Sequence, residues 1–277
     1  MAQIGKINKL RVIKEMDFGV YLDADELGEI LLPQKYVPKD YEKDGMVEVF
    51  VYLDSEDRLI ATTEKPHAMV NEFAFLKVAA VNKFGAFLDW GLPKDLLVPF
   101  REQKQKMEEG KSYVVFIYLD EESQRIAASA KLDKFLDLKP IEYIEGEEVD
   151  LLICDKTDIG YKAIIEGKHW GILYDNEVFQ KLERGQQING YIKKIREDNK
   201  IDLSLQKTGY NIVDEISEKI LAKLKEQDGF IPVTDKSPPE VISDIFGISK
   251  KTFKKSIGAL YKKRLIILEN DGIKLVE

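Results

Sequence analysis

What this chain lacks narrows its chemistry first. It has one cysteine, Cys154, so no internal disulfide can form and no multi-cysteine metal site is available. Its best use is as a small apolar filler on a strand. Only two histidines are present, His67 and His169, and they stand far apart in sequence. An ordinary zinc site would need carboxylates to complete such a set. There is no glycine-rich phosphate loop and no Gly-x-Ser-x-Gly elbow. The acidic runs DEESQ at 120–124 and EGEE at 145–148 fall where turns are expected, and solvated turns account for them. These gaps point away from an enzyme and toward a chain without cofactor or metal. No apolar run approaches the roughly 18 residues of a membrane span. The opening MAQIGKINKLRVIKEM alternates and carries charge early, unlike a secretion signal, so the expected location is cytoplasmic and the expected partners do not include a membrane.

An excess of positive charge is also missing: the net charge is −8 over 277 residues. A nucleic-acid binder normally shows a basic surface, because phosphate contacts dominate its affinity. A global total can hide a local patch. Residues 1–66 hold nine basic and fourteen acidic side chains, and 67–140 hold eleven of each. Residues 141–208 hold ten and fourteen, and 209–277 hold twelve and eleven. The N-terminal segment is the poorest home for a polyanion, and the C-terminal one the best.

What the chain does have is repetition. FGVYLD at 18–23 returns as FGAFLD at 84–89, and MVEVFVYLD at 46–54 returns as YVVFIYLD at 113–120, both at an offset of 66 residues. GEILLP at 28–33 and KDLLVP at 94–99 lie between those blocks, and RLIATT and RIAASA close the two units. A third copy is fainter: DIGYKAII at 158–165, GILYDNE at 171–177 and GYIKKIREDNKIDLSLQK at 190–207. Several blocks in one order at one spacing mark a true internal repeat. Each unit of roughly 70 residues offers about five β-rich segments between turn signals, which suggests a small closed barrel of the OB type. In the first unit the strands are expected near 3–14, 18–23, 28–33, 46–54 and 58–64. Gly19 and Gly85 inside strand two suggest a bulge or tight bend.

Residues 209–277 change character. IVDEISEKILAKLKEQ at 212–227 has helical apolar spacing through Ile216, Ile220, Leu221 and Leu224. Ser237 and Pro238 open a second helix that Gly247 stops, and Ser249 caps a third, KKTFKKSIGALYKKR. Asn270-Asp271-Gly272 marks a final hairpin. This order is that of a winged helix, with the third helix in the recognition position. Lys250, Lys251, Lys254, Lys255, Lys262, Lys263 and Arg264 gather on or beside that helix, while Phe253, Ile257 and Leu260 form its apolar face.

The long first strand, the FGxF/Y step and a closing strand such as KIDLSLQK resemble the S1 domain, an OB-fold RNA-binding module. Three such units followed by GFIPVTDKSPPEVISDIFGISKKTFKKSIGALYKKRLI resemble the bacterial conserved virulence factor B family. The expected fold is mainly β: three consecutive S1-like five-stranded OB barrels at 1–66, 67–140 and 141–208, then an α+β winged helix-turn-helix domain at 209–277. The resemblance implies RNA binding, single-stranded above all, in post-transcriptional control of genes that include virulence genes. It also implies that strand-two rings stack on bases, that a strand-three ring assists, and that basic residues near strand five meet phosphate. The strand-two rings are Phe18 and Tyr21, then Phe84 and Phe87, then Tyr161 alone, since Ile159 replaces the first ring. The strand-three position holds Leu32, Val98 and Tyr174, and the strand-five position holds Arg58, Arg125 and Lys200.

By strict alternation Phe84 and Phe87 would point to opposite faces unless Gly85 bulges the strand. Trp170, in GKHWG beside Lys168 and His169, reads as a stacking ring on a basic loop, Trp90 reads as packing, and Lys162 is a further RNA-binding candidate. Lys193, Lys194, Arg196 and Lys200 make a basic hairpin in the third unit. Tyr161 and Tyr174 are the rings most expected to be exposed, and the C-terminal half is the expected binder. Two other readings stay open: a duplex-DNA-binding transcription regulator, and a protein–protein adaptor.

Overall fold

The computed structural model describes residues 1–207 and 211–276. The chain divides into two compact units, Met1–Phe135 and Leu136–Glu277. The expected domain junction near 209 lies outside the described residues.

The first unit holds two barrels. Barrel 1 comprises β1 (Ile7–Met16), β2 (Gly19–Asp23), β3 (Glu29–Pro33), β4 (Met46–Leu53) and β5 (Leu59–Thr62). They close in the order β1-β2-β3-β5-β4. Alternation explains the strands. In β1, Leu10 and Val12 point inward to meet Val20, Leu22, Ile30, Leu32 and Val49, while Lys9 and Arg11 point out. Barrel 2 repeats the plan with β6 (Phe73–Val81), β7 (Gly85–Asp89), β8 (Leu96–Pro99), β9 (Ser112–Leu119) and β10 (Ile126–Ser129). The second unit opens with barrel 3: β11 (Glu148–Thr157), β12 (Gly160–Ile165), β13 (His169–Tyr174), β14 (Gln187–Ile195) and β15 (Ile201–Ser204), closed in the same order as barrel 1.

The repeated glycine does something other than bulge its strand. Gly19, Gly85 and Gly160 open strand two at φ of 151°, 156° and 151°. A Cβ there would stand 2.2 Å from the Leu32 carbonyl oxygen, 2.2 Å from that of Val98 and 2.0 Å from that of Leu173. Only glycine lets strand two pass this close to strand three. The irregularity in pairing sits across the ladder, in strand one, between Val12 and Lys14, Val78 and Ala80, and Ile153 and Asp155.

Barrels 1 and 2 are bound tightly to each other. Trp90 is 3% exposed, lies edge-on to Phe50 of barrel 1 at 5.7 Å, and donates to the Lys94 carbonyl at 2.6 Å. Lys94 Nζ reaches across to the carbonyl oxygens of Leu53 (2.9 Å) and Asp54 (2.6 Å). Arg125 pairs with Asp57 of barrel 1. Trp90 therefore packs, as its sequence suggests.

The winged helix comprises α1 (Asn211–Glu226), β16 (Phe230–Ile231), α2 (Pro239–Phe246), α3 (Lys250–Lys262), β17 (Ile266–Leu268) and β18 (Ile273–Leu275), with sheet order β16-β18-β17. Ile216, Ile220, Leu224, Ile242, Phe253, Ile257 and Leu260 form its core. Ser249 Oγ accepts from the Thr252 N–H at 3.0 Å and caps α3, and Gly247 ends α2 in the left-handed region at φ 65°. Pro239, not Pro238, is the first helical residue of α2, and Ser237 Oγ instead accepts from the Thr234 N–H. Gly272 of the final hairpin sits where a Cβ would meet the Phe230 ring at 2.4 Å. Within this unit Ser243 Oγ of α2 donates to the Phe179 carbonyl at 2.9 Å. Among the described residues no helix is long and apolar enough to cross a membrane.

Candidate nucleic-acid interface

The cross-strand register decides which side chains face outward on strands two and three. Tyr21 stands opposite Leu31, and Phe87 opposite Leu97, both outside their barrels. Between them Val20 opposite Leu32, and Ala86 opposite Val98, point into the cores. Leu32 and Val98 are thus core residues, and the outer strand-three positions are Leu31 and Leu97. Phe18 and Phe84, just before the glycines, are 51% and 61% exposed. Phe18 meets Tyr21 edge-on at 6.3 Å, Lys14 Nζ lies 5.6 Å from the Tyr21 ring, and Lys83 Nζ lies 5.1 Å from the Phe84 ring. The rings expected on barrels 1 and 2 are therefore available. Their basic partners are already engaged. Arg58 pairs with Asp54 at 2.7 Å and Glu56 at 2.9 Å, and Arg125 pairs with Asp57.

Barrel 3 departs from the expectation in an instructive way. Gly160 stands opposite Tyr174, so Tyr161 falls opposite the core residue Leu173. Tyr161 is half-buried against the barrel core, at the position of Val20 and Ala86, with Lys156 Nζ 5.2 Å from its ring. The exposed ring expected there is a core-side ring, because alternation counted from the glycine puts the next residue inward. Lys162 takes the outward place of Tyr21 and Phe87, opposite Ile172. The strand-three counterpart of Leu32 and Val98 is Leu173, and Tyr174 occupies the place of Pro33 and Pro99.

That outward lysine has a partner. Lys162 Nζ sits 3.6 Å from the centroid of Trp170, which is half-exposed on β13. Trp170 takes the position that Glu29 holds in barrel 1, and Asp95 in barrel 2 when the register is carried one pair on. Its neighbour His169, the first residue of β13, is buried, with Nε2 2.9 Å from the Lys139 carbonyl. Below the pair, Arg196 donates to Tyr174 Oη and holds Asp202 through Nε and Nη2, each at 3.0 Å, while Tyr174 Oη donates to Asp202 at 3.3 Å. Lys193 pairs with Glu177, and Lys200 with Asp198 at 2.7 Å. Lys168 and Lys194 are exposed, with no carboxylate partner among the described residues. The basic hairpin thus keeps one unneutralised lysine of its four cations. Cys154 is buried on β11, where burial pushes its thiol up to about 12, so it is an inert filler at neutral pH.

On α3, Lys250 Nζ is turned back onto the Ser237 carbonyl at 2.8 Å, and Lys254 meets Asp235 at 3.2 Å. Lys251, Lys255 and Lys262 have no carboxylate partner among the described residues and lie on the exposed side. Their spacing of four and seven places them in one stripe. Gly258 lies between them and leaves open space where a side chain would stand. Lys263 is exposed where the helix ends. Tyr261, 55% exposed, adds a ring that the sequence reading passed over. Its place seven residues after Lys254 was the available signal.

The S1 domain model matches residues 4–64 and 72–130, and the CvfB-like winged helix domain model matches 218–275. Barrel 3, outside those ranges, repeats the strand order. Uncharacterized protein YitL of Bacillus subtilis is 29% identical over 274 residues, covering 94% of this chain and 90% of that protein. Conserved virulence factor B of Staphylococcus epidermidis is 28% identical over 293 aligned positions, covering 99% of this chain and 95% of that one. A multidomain protein with nucleic acid binding domains from Streptococcus pneumoniae is 23% identical, with a TM-score of 0.44 over 99% of this chain and 98% of its own.

Proposed function

This chain belongs to the conserved virulence factor B family, and from that premise we propose that it binds single-stranded RNA through barrel 3 and α3, as a cytoplasmic post-transcriptional regulator of genes that include virulence genes. S1 and winged-helix domains support nucleic-acid binding as such. The observation that carries the finer reading is the Lys162–Trp170 pair at 3.6 Å on the outer face of barrel 3. A half-exposed indole offers a base a stacking surface, worth roughly 1–3 kcal/mol per base and indifferent to sequence. The lysine lying over one face of the ring leaves the other for the base and offers charge to the adjoining phosphate. Lys251, Lys255 and Lys262 of α3, without a carboxylate partner among the described residues, belong to the same compact unit and offer a strand further phosphate contacts.

A second reading has its own support. The stripe Lys251, Lys255 and Lys262 lies on the helix that a winged helix inserts into a major groove, so duplex DNA is the alternative ligand. Labelled single-stranded RNA, single-stranded DNA and duplex DNA, titrated at two salt concentrations, separate the two. Tight RNA binding that Trp170→Ala weakens supports the proposal. Tight duplex binding untouched by Trp170→Ala overturns it in favour of the second reading.

A further inference from the structure

On barrel 2 the outer face of β7, β8 and β10 is not open like a platform. The end of β4 from barrel 1 walls it on one side, with Tyr52 and Leu53, and the result is a pocket of about 330 Å³. The same contacts that join the barrels hold this wall in place: Lys94 Nζ on the Leu53 and Asp54 carbonyls, Arg125 on Asp57, and Trp90 against Phe50. The pocket is preformed. Its volume is at the low end for small-molecule sites, too small for a strand and large enough for one base.

The lining carries two kinds of group. Phe84, Phe87 and Tyr118 supply ring surface, with Leu97 and Ile126 beside them. The polar wall is acceptor-rich. Its cations, Lys94 and Arg125, are spent on their own chain. Asp120 already accepts the N–H groups of Glu122 and Ser123 and faces Arg101. Asp95 is different. It lines the pocket and has no hydrogen-bond or ion-pair partner among the described residues. Burial, and then the nearby Asp89 carboxylate, raises its pKa, as expected of a half-buried acid short of donors. A phosphate would meet like charge here. A planar ring with N–H groups on its edge would meet stacking surface and a waiting acceptor.

We propose that this pocket takes one guanine base, stacked on Phe84 and Phe87, with its adjacent N1–H and N2–H donating to the Asp95 carboxylate. Guanine presents two neighbouring donors on that edge, which match the two oxygens of a carboxylate. Adenine, cytosine and uracil each offer a single donor group there. The site belongs to barrel 2, since Trp170 replaces the acid in barrel 3 and the acid of barrel 1, Glu29, stands exposed rather than half-buried in a walled pocket. It rests on the RNA-binding reading and deepens it: barrel 2 would read one base of an RNA ligand.

The test uses the full chain, titrated by calorimetry with guanosine, inosine, adenosine and uridine. Guanosine is expected to bind, with inosine, which lacks the N2 amine, and the other two weaker by about tenfold or more, the worth of a hydrogen bond to a charged group. Asp95→Asn and Phe87→Ala are each expected to weaken guanosine by about tenfold on the same grounds, with folding checked by circular dichroism. Equal binding of all four nucleosides, binding of guanosine unchanged in Asp95→Asn, or no binding at millimolar concentration by the folded protein would each overturn the proposal. Lys251→Glu with Lys255→Glu keeps this separate from the RNA reading. That variant is expected to lose oligouridine binding and keep guanosine. Wild-type protein that binds guanosine but not oligouridine sinks the RNA reading and leaves the pocket standing; the reverse sinks the pocket alone.

Discussion

Barrels 2 and 3 are built on one plan, and they turn different chemistry outward from it. At the position two residues after the strand-two glycine, barrel 2 has Phe87 and barrel 3 has Lys162. Two residues before their facing partners Leu97 and Ile172, barrel 2 has Asp95 and barrel 3 has Trp170. At the strand-five hairpin, barrel 2's Arg125 is committed to Asp57 of its neighbour, whereas barrel 3 keeps Lys194 without a carboxylate partner among the described residues. One face offers rings and an acceptor, the other a ring under a cation. The lesson is that a repeated fold fixes where the outward positions are and leaves the ligand to be decided by two or three side chains at them.

The largest effect that would sharpen this contrast lies in the unit that carries barrel 3. Reversing Lys251 and Lys255 to glutamate is expected to weaken RNA roughly tenfold to a hundredfold at low salt and to flatten the salt dependence, because phosphate contacts set that slope. A titration at several salt concentrations checks it, and an unchanged slope would remove α3 from the interface.

Next comes the register on which the comparison stands. Gly85→Ala and Gly160→Ala would each place a methyl group about 2 Å from a carbonyl oxygen of strand three. Each is expected to cost on the order of 1–3 kcal/mol, measured as a lowered urea midpoint. Gly258→Ala on α3 has open space around it and is expected to be stabilising by up to about 1 kcal/mol. Equal stability in all three would mean that the glycines do not set the outward positions.

The smallest effect separates two lysines of one hairpin. Lys194→Ala is expected to weaken RNA by a few-fold, roughly one phosphate contact. Lys200→Ala is expected to change little, since Asp198 at 2.7 Å already neutralises Lys200. Filter binding of both variants at low salt decides it.

The barrels and the winged helix were legible because their signals are local. Alternation, the Ser249 cap and the Gly247 stop each act over a few residues, and the offset of 66 residues is seen by matching short blocks. The candidate interface was only partly legible because its facts are not local. Tyr161 reads as the partner of Tyr21 until the pairing of Gly160 with Tyr174 shows it turned inward. Arg125 reads as a phosphate ligand, yet its partner Asp57 lies 68 residues away in another barrel. Lys162 and Trp170 are eight residues apart and meet only because the β12–β13 hairpin brings them together diagonally across the ladder. Asp95 drew no notice because a lone acid before a strand signals nothing until a neighbouring barrel walls it in.

In the proposed function, barrel 3, not barrel 2, holds a general single strand. The most direct measurement is the affinity of the full chain for oligouridine after Trp170→Ala and, separately, after Phe87→Ala. Uracil leaves the acceptor pocket of barrel 2 out of the comparison. The expected result is a loss of about tenfold or more for Trp170→Ala, the worth of one stacked base, and little change for Phe87→Ala. Equal losses, or a larger loss for Phe87→Ala, would contradict it.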